Sequence, residues 1–402
     1  MTDIARNYKL KIYFNNMLIL RSEGGVQLLK SGIPIGRLFG IPIRLHFSWF
    51  FIFALVTWAL VTSYFPDVYS DWSLSASIIT SIITSLLFFG SVLLHELMHS
   101  IFAIRSGIPV KSITLFIFGG VSQIAEEPAK PKTELKIAIA GPLTSILLGG
   151  IFWAIFQLIP ASFEYIIAVS FWLGLINLML GAFNLLPGFP LDGGRVLRAI
   201  LWWRSGNLRR ATKWASNAGR GISFLFIFGG IWLIFQGPEW WFNGLWLAFI
   251  GWFLGNAAVG SYRQLTLQQM LQGHAVSEAM IRDCVTIRSN ITLGELVSEH
   301  MLTTGNQCFI VDDGGNTNGL ITLKEIKGIP RIEWDSKKVV EIMVPFDKLK
   351  YVRPDEDLAS VLKLLTEEEI GQLPVVDKGN IIGMISRENM LTYIKIRDKL
   401  GM

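Results

Sequence analysis

At 402 residues the chain is long enough for two or three domains, and 51% of it is hydrophobic while only 17% is charged. That balance excludes a wholly soluble protein and fits a polytopic membrane protein. The formal net charge of +5 does not signal nucleic acid, because the basic residues lie between apolar runs and not on one polar segment. Two cysteines, Cys284 and Cys308, are too few for a disulfide scaffold or a thiolate metal site.

Residues 1–35, beginning MTDIARNYKLKIYFNNMLIL, read as a lead-in without the compact apolar core and small-residue cleavage site of a signal peptide. Six long apolar stretches follow, free of charged residues except for Glu96 in the second, at 47–64, 75–104, 137–159, 165–186, 221–238 and 240–262. Roughly 20 apolar residues carry a helix across a bilayer, so each is a candidate span, the second being overlong and the fifth marginal. The links between them alternate in charge. Those around Asp67 and Asp71, around Glu164 and around Glu239 contain no Lys or Arg. The others carry Arg105, Lys111, Lys130, Lys132 and Lys136, then Arg195, Arg198, Arg204, Arg209, Arg210, Lys213 and Arg220. Positive residues stay inside, so both termini are expected in the cytoplasm, with the protein multi-pass in the cell membrane.

The second stretch contains SVLLHELMHSIFAI, residues 91–104. His95 and His99 are four residues apart, hence on one face of a helix, with Glu96 beside them. Two imidazoles so spaced can hold one zinc ion, and the intervening Glu can take a proton from an activated water. His99 and His95 precede Arg105 by six and ten residues, which puts them roughly 9 and 15 Å up the helix from the cytoplasmic boundary. Polar groups at that depth must face a cavity that water can enter. The plain alternative is a pair of packing histidines, but a Glu between them in lipid would still need partners.

Further along, VKSITLFIFGGVSQI (110–124) alternates and then meets Gly119–Gly120, which predicts a hairpin turning there, the alternative being an amphipathic connector. AGPLTSILLGG (140–150) offers small residues for close helix contact. Catalytic zinc usually takes three protein ligands, and the candidate third is Asp192 in NLLPGFPLDGG (184–194). Pro187, Gly188, Pro190, Gly193 and Gly194 break the helix and can aim a carboxylate back into the bundle. Asp192 could equally cap the helical stretch RVLRAILWW that follows. His46 reads as an interfacial histidine.

After Arg263 the pattern becomes soluble α/β and repeats with a period of about 64 residues. VSEAM (276–280) recurs as VVEIM (339–343), FIVDDGG (309–315) as LPVVDKGN (373–380), and GLITLKEI (319–326) as GMISRENM (383–390). The expected division is 1–35 lead-in, 36–265 membrane domain, 270–332 and 333–402 paired α/β units.

HELMH in one span with NLLPGFPLDGG near the end of another resembles the site-2 protease family of intramembrane zinc metalloproteases. The terminal repeat resembles a pair of cystathionine-β-synthase-type (CBS) domains, which some prokaryotic and plastid members of that family carry. The resemblance covers the chain from about residue 36 onward. It implies His95, His99 and Asp192 as zinc ligands, Glu96 as general base, and Asn184 as the residue that binds substrate or the developing oxyanion. It also implies a membrane-embedded hairpin beside the active site, and a transmembrane segment of another protein as substrate. CBS pairs often bind adenine nucleotides through a Gly-x-Ile-Ser/Thr-x-x-Asp ending. The matching stretches here give Thr322 with Glu325 and Ser386 with Asn389, and neither ends in Asp, which weakens that expectation. The same pair is where two copies of the chain could join as a homodimer. A transporter regulated by CBS domains is the alternative, but it would be expected to show an internal membrane repeat, and the segment from Pro187 to Gly194 has no counterpart.

Overall fold

A computed structural model describes residues 32–282, 285–306, 308–312, 317–368 and 370–400, so the lead-in lies almost wholly outside the described residues. The chain divides between Tyr262 and Arg263 into two compact units.

The first unit opens with β1 (Ile33–Leu38) and β2 (Ile41–Leu45), an antiparallel pair joined at Phe39–Gly40. β2 runs parallel to β3 (Val110–Phe116), which pairs antiparallel with β4 (Gly119–Ile124), giving the sheet order β1-β2-β3-β4. The sequence signalled β3 and β4 but not β1 and β2. The hairpin turns at Ile117–Phe118, earlier than the sequence suggests. Gly119 instead opens β4, with a φ of 122° that glycine adopts without a Cβ clash.

The helices of this unit are α1 (Phe47–Ala59), α2 (Leu74–Arg105), α3 (Pro131–Leu158), α4 (Glu164–Asn184), α5 (Asp192–Ser205), α6 (Leu208–Ile234) and α7 (Trp241–Leu271), the last of which belongs to the second unit from Arg263 onward. α1 continues through a π turn to Val68. Among the described residues, six helices are long and apolar enough to cross a membrane, α5 not being one of them. Two begin well before their charge-free cores: α3 at 131 and α6 at 208, in turns that carry Lys132, Glu134, Lys136, Arg209, Arg210 and Lys213. A helix need not end where the hydrocarbon does, so a search for charge-free stretches trims it.

α2 has 32 residues, about 48 Å against roughly 30 Å of hydrocarbon. The sheet packs on its C-terminal half. Ile41, Ile43 and Ile113 bury against Leu97, and Leu45 and Leu115 against Val92. The residues on either side of His95 and Glu96 therefore clamp the sheet to the helix. α3 and α4 approach closely because Gly149, Gly174 and Gly181 lack side chains; a Cβ on Gly181 would meet Ile146 and the Pro142 carbonyl.

The second unit holds two α/β repeats with separate cores. In the first, β5 (Thr286–Ile287), β6 (Cys308–Asp312), β7 (Thr317–Thr322) and β8 (Val344–Pro345) form a sheet in that order, with α8 (Leu323–Lys327) directly after β7. In the second, α9 (Leu358–Glu367), β9 (Gln372–Asp377), β10 (Asn380–Ser386) and α10 (Arg387–Leu400) follow one another. Phe309, Val311 and Ile321 centre one core, Val361, Val375 and Ile385 the other. The second core also takes Leu271 and Val276 from the start of the first repeat. The two repeats are thereby laced together by chain order.

Candidate metal centre

His95 and His99 point from one face of α2 towards α3 and the start of α5. His95 Nε2 lies 3.2 Å from His99 Nε2 and 3.2 Å from Asp192 Oδ2, which is 3.0 Å from His99 Nε2. These atoms form a nearly equilateral triangle, and both histidines are 4% exposed. A tetrahedral zinc ion about 2.0 Å from each of three N or O donors spaces them about 3.3 Å apart, so the triangle has the right size. Its electronic state agrees. His99 Nδ1 lies 2.7 Å from the Ile137 carbonyl, which can only accept, so this nitrogen carries a proton and a neutral ring turns a lone pair inward at Nε2. His95 Nδ1 is held by Ser145 Oγ at 2.9 Å. Two imidazoles facing one carboxylate oxygen can hold a cation among them, and the outer hydrogen bonds to α3 are of the kind that orient metal-bound histidines. The donor set fits zinc.

Asp192 is the first residue of α5, and Leu191 occupies the cap position without a side-chain hydrogen bond. The capping alternative therefore does not describe it; its carboxylate reaches the imidazoles instead. The preceding link is built from backbone against backbone. A Cβ on Gly193 would strike the Leu185 and Leu186 carbonyls, one on Gly194 the Gly188–Phe189 peptide, and one on Gly188 would strike Gly219 of α6. The glycines thus do more than break a helix: they let the link fold flat beneath α5, and Phe189 N–H donates to the Ala215 carbonyl at 3.3 Å. On α3, Gly141 faces the imidazoles; a Cβ there would overlap both Nε2 atoms. Sequence reading treated this glycine as helix packing only, and nothing local distinguishes it.

Glu96, half-buried, leaves α2 towards β4. Ser122 Oγ donates to its Oε2 at 2.7 Å, and a Cβ on Gly120 would overlap its Cγ. Asn184 ends α4, seven residues before Leu191; it is half-buried, and its side chain takes no hydrogen bond among the described residues. His46 caps α1, accepting from Ser48 N–H at 3.2 Å, and does not join the His95–His99–Asp192 cluster.

The four nucleotide-site candidates sit at two strand-to-helix junctions. Glu325 Oε2 accepts from Thr322 N–H at 3.0 Å and from the Thr322 hydroxyl. Asn389 Oδ1 accepts from Ser386 N–H at 3.0 Å and from Ser386 Oγ at 2.7 Å, while Asn389 N–H returns a bond to Ser386 Oγ at 3.2 Å. Ser386 and Asn389 thus cap their helix reciprocally, in the manner of a capping box, and Glu325 makes the side-chain half of the same pattern with Thr322.

Comparison with known proteins matches residues 83–165 and 155–228 to "Peptidase family M50", and residues 276–329 and 339–396 to "CBS domain". Rip3 of Mycobacterium tuberculosis, named as a candidate zinc metalloprotease, is 32% identical over 379 residues, covering 92% of this chain and 94% of that one. "Zinc metalloprotease MJ0392" of Methanocaldococcus jannaschii is 28% identical over 368 residues, covering 92% and 97%. Among solved structures, "Site-2 Protease from Methanocaldococcus jannaschii" is 30% identical over 57% of this chain and 95% of its own, with a TM-score of 0.39.

Proposed function

This chain belongs to peptidase family M50, the site-2 proteases, with a tandem pair of CBS domains, and we propose that it is an intramembrane zinc endopeptidase. It cuts a transmembrane segment of another protein from the cytosolic side of the cell membrane. The reading is carried by the triangle of His95 Nε2, His99 Nε2 and Asp192 Oδ2 at 3.0–3.2 Å, inside a bundle of membrane-length helices.

His95, His99 and Asp192 would hold the zinc, which when bound polarises the scissile carbonyl and makes a nearby water more acidic. Ile137 and Ser145 keep the imidazoles turned inward. Glu96, steadied by Ser122, accepts a proton from the attacking water and returns it to the leaving amine as the peptide C–N bond breaks. Asn184, with its amide uncommitted, donates to the oxyanion. β4 pairs with β3 along one side, and among the described residues its other side is unpaired. An unwound substrate segment adds there as a further strand, past Glu96. Unwinding matters because peptide bonds within a helix are shielded from water.

The charge alternation of the links supports cytosolic termini and so a cytosolic CBS pair, whose ligand state regulates access of substrate to the centre. An adenine nucleotide bound at Thr322, Glu325, Ser386 and Asn389 must share or replace the hydrogen bonds within these two pairs; a thermal-shift titration with ATP, ADP and AMP tests this, and no response to any of them refutes it. For the catalytic reading the test is Glu96→Gln in detergent-purified protein with a transmembrane substrate. It should retain zinc at about one per chain and lose cleavage; cleavage at the wild-type rate would overturn the assignment.

A further inference from the structure

The metal centre draws on two helices besides α2: α5 supplies Asp192, and α3 supplies the Ile137 carbonyl, the Ser145 hydroxyl and the space left by Gly141. Nothing in the cluster itself fixes how far α5 stands from α3. A buried ion pair lies between them. Arg198 of α5 sets its Nε 2.6 Å and its Nη2 2.5 Å from Glu134 Oε1 of α3, with Glu127 Oε1 further off at 3.9 Å. Glu134 is fully buried and Arg198 is 6% exposed. The guanidinium lies over the Phe189 ring, 5.3 Å from its centroid, so the same residue also presses on the link that delivers Asp192. Glu134 stands one helical turn before Ile137, and Arg198 six residues after Asp192, or about 4.5 and 9 Å along their helices.

Stability alone is a poor account of this pair. Removing two charges from water costs about as much as their attraction returns, and a well-packed apolar pair would hold the helices as strongly. The arrangement is also incomplete as an ion pair, since Glu134 Oε2 is buried with no hydrogen-bond partner. What a planar guanidinium closing on one carboxylate oxygen provides, and an apolar contact does not, is a fixed distance and rotation.

We propose that Arg198 and Glu134 are positioning residues for the metal centre: they fix α5 against α3 so that Asp192 Oδ2 meets the two imidazoles that α3 orients. The inference rests on the zinc reading above. It predicts that the pair sets metal affinity and coordination geometry more than it sets folding.

The test uses full-length protein in detergent, as wild type, His95→Ala, Arg198→Lys, and the double variant Arg198→Met with Glu134→Met, which leaves no orphaned charge behind. Zinc affinity is measured by competition with a chromophoric chelator, ligand geometry by the visible absorption of the cobalt-loaded protein, and folding by thermal unfolding of the metal-free form. Positioning predicts that the double variant unfolds near the wild-type temperature but binds zinc roughly 10- to 100-fold more weakly, with an altered cobalt spectrum. Arg198→Lys, which keeps the charge and loses the fork, should change in the same direction. Wild-type zinc affinity and an unchanged cobalt spectrum in both variants would overturn the positioning role while leaving the metal site intact. A wild-type protein that binds no more zinc than His95→Ala would overturn both.

Discussion

The centre should be most sensitive to one methyl group placed where no ligand is changed. In Gly141→Ala the new Cβ would lie 2.6 Å from His95 Nε2 and nearer still to His99 Nε2, whereas an ordinary contact needs at least 3.4 Å. The His95 ring must then retreat by about 0.8 Å, several times the ~0.2 Å that metal–ligand distances tolerate. One imidazole leaves the triangle, and zinc affinity should fall at least 100-fold, about 2.8 kcal/mol. Folding should change less. Overpacking costs about 1–3 kcal/mol, and exchanging glycine for alanine within a helix returns about 0.5–1 kcal/mol. The two effects separate in one experiment: metal-free protein should unfold within a few degrees of wild type, while added zinc at a concentration that stabilises wild type by ~2.7 kcal/mol should hardly stabilise the variant. If Gly141→Ala binds zinc as wild type does, the imidazoles do not stand where the triangle puts them, and the argument for the centre fails.

Ser145→Ala removes the 2.9 Å partner of His95 Nδ1 and should weaken zinc binding about tenfold, measured by the same chelator competition. Ser122→Ala frees the Glu96 carboxylate from its 2.7 Å donor and should leave zinc content unchanged while lowering kcat, on the order of tenfold; a loss of zinc would mean that Ser122 serves the metal and not the base. In the soluble unit, hydrogen bonds from the Tyr393 hydroxyl and from Ala275 N–H hold the Glu278 carboxyl down, at about 2 against an ordinary 4.5. A carboxyl depressed on folding adds stability above its unfolded value and loses it as pH falls, so this contribution should fade from about pH 4.5 towards pH 2. The group is largely exposed, so the effect is small; Tyr393→Phe should flatten that part of the thermal-stability profile.

Several features were legible in the sequence because their causes are local. Composition and loop charge gave six membrane helices, since a span must be apolar throughout and its ends are sorted by charge. The two repeats were legible because their apolar blocks keep order and offset. The closeness of His95 and His99 followed from helical periodicity alone. Asp192 was a candidate with a rival role, and only the fold brings its carboxylate across to α2, ninety-seven positions from His95. Gly141, Ser145, Ser122 and Arg198 were missed as parts of the site, and no signal near them marks it: a glycine, two serines and an arginine in an amphipathic helix are ordinary there. Their places exist only as distances between elements remote in sequence. The β1–β2 hairpin was missed for a related reason, because β2 pairs parallel with β3 across the whole of α1 and α2, and nothing in its five residues announces a partner about seventy positions away.

The stacking of backbone on backbone at Gly188, Gly193, Gly194 and Gly219 has a consequence for how loss-of-function data on this protein should look. A scan of all substitutions would score these glycines as severely as the histidines, though none of the four carries chemistry. The profiles would differ in kind. At the glycines, severity should grow with the bulk of the incoming side chain, alanine being the mildest and charge making little difference. At His95, His99 and Asp192, it should track the donor atom, with isosteric residues that cannot bind metal faring as badly as large ones. Position-by-position tolerance thus separates the residues that carry donor atoms from the backbone that lets them meet.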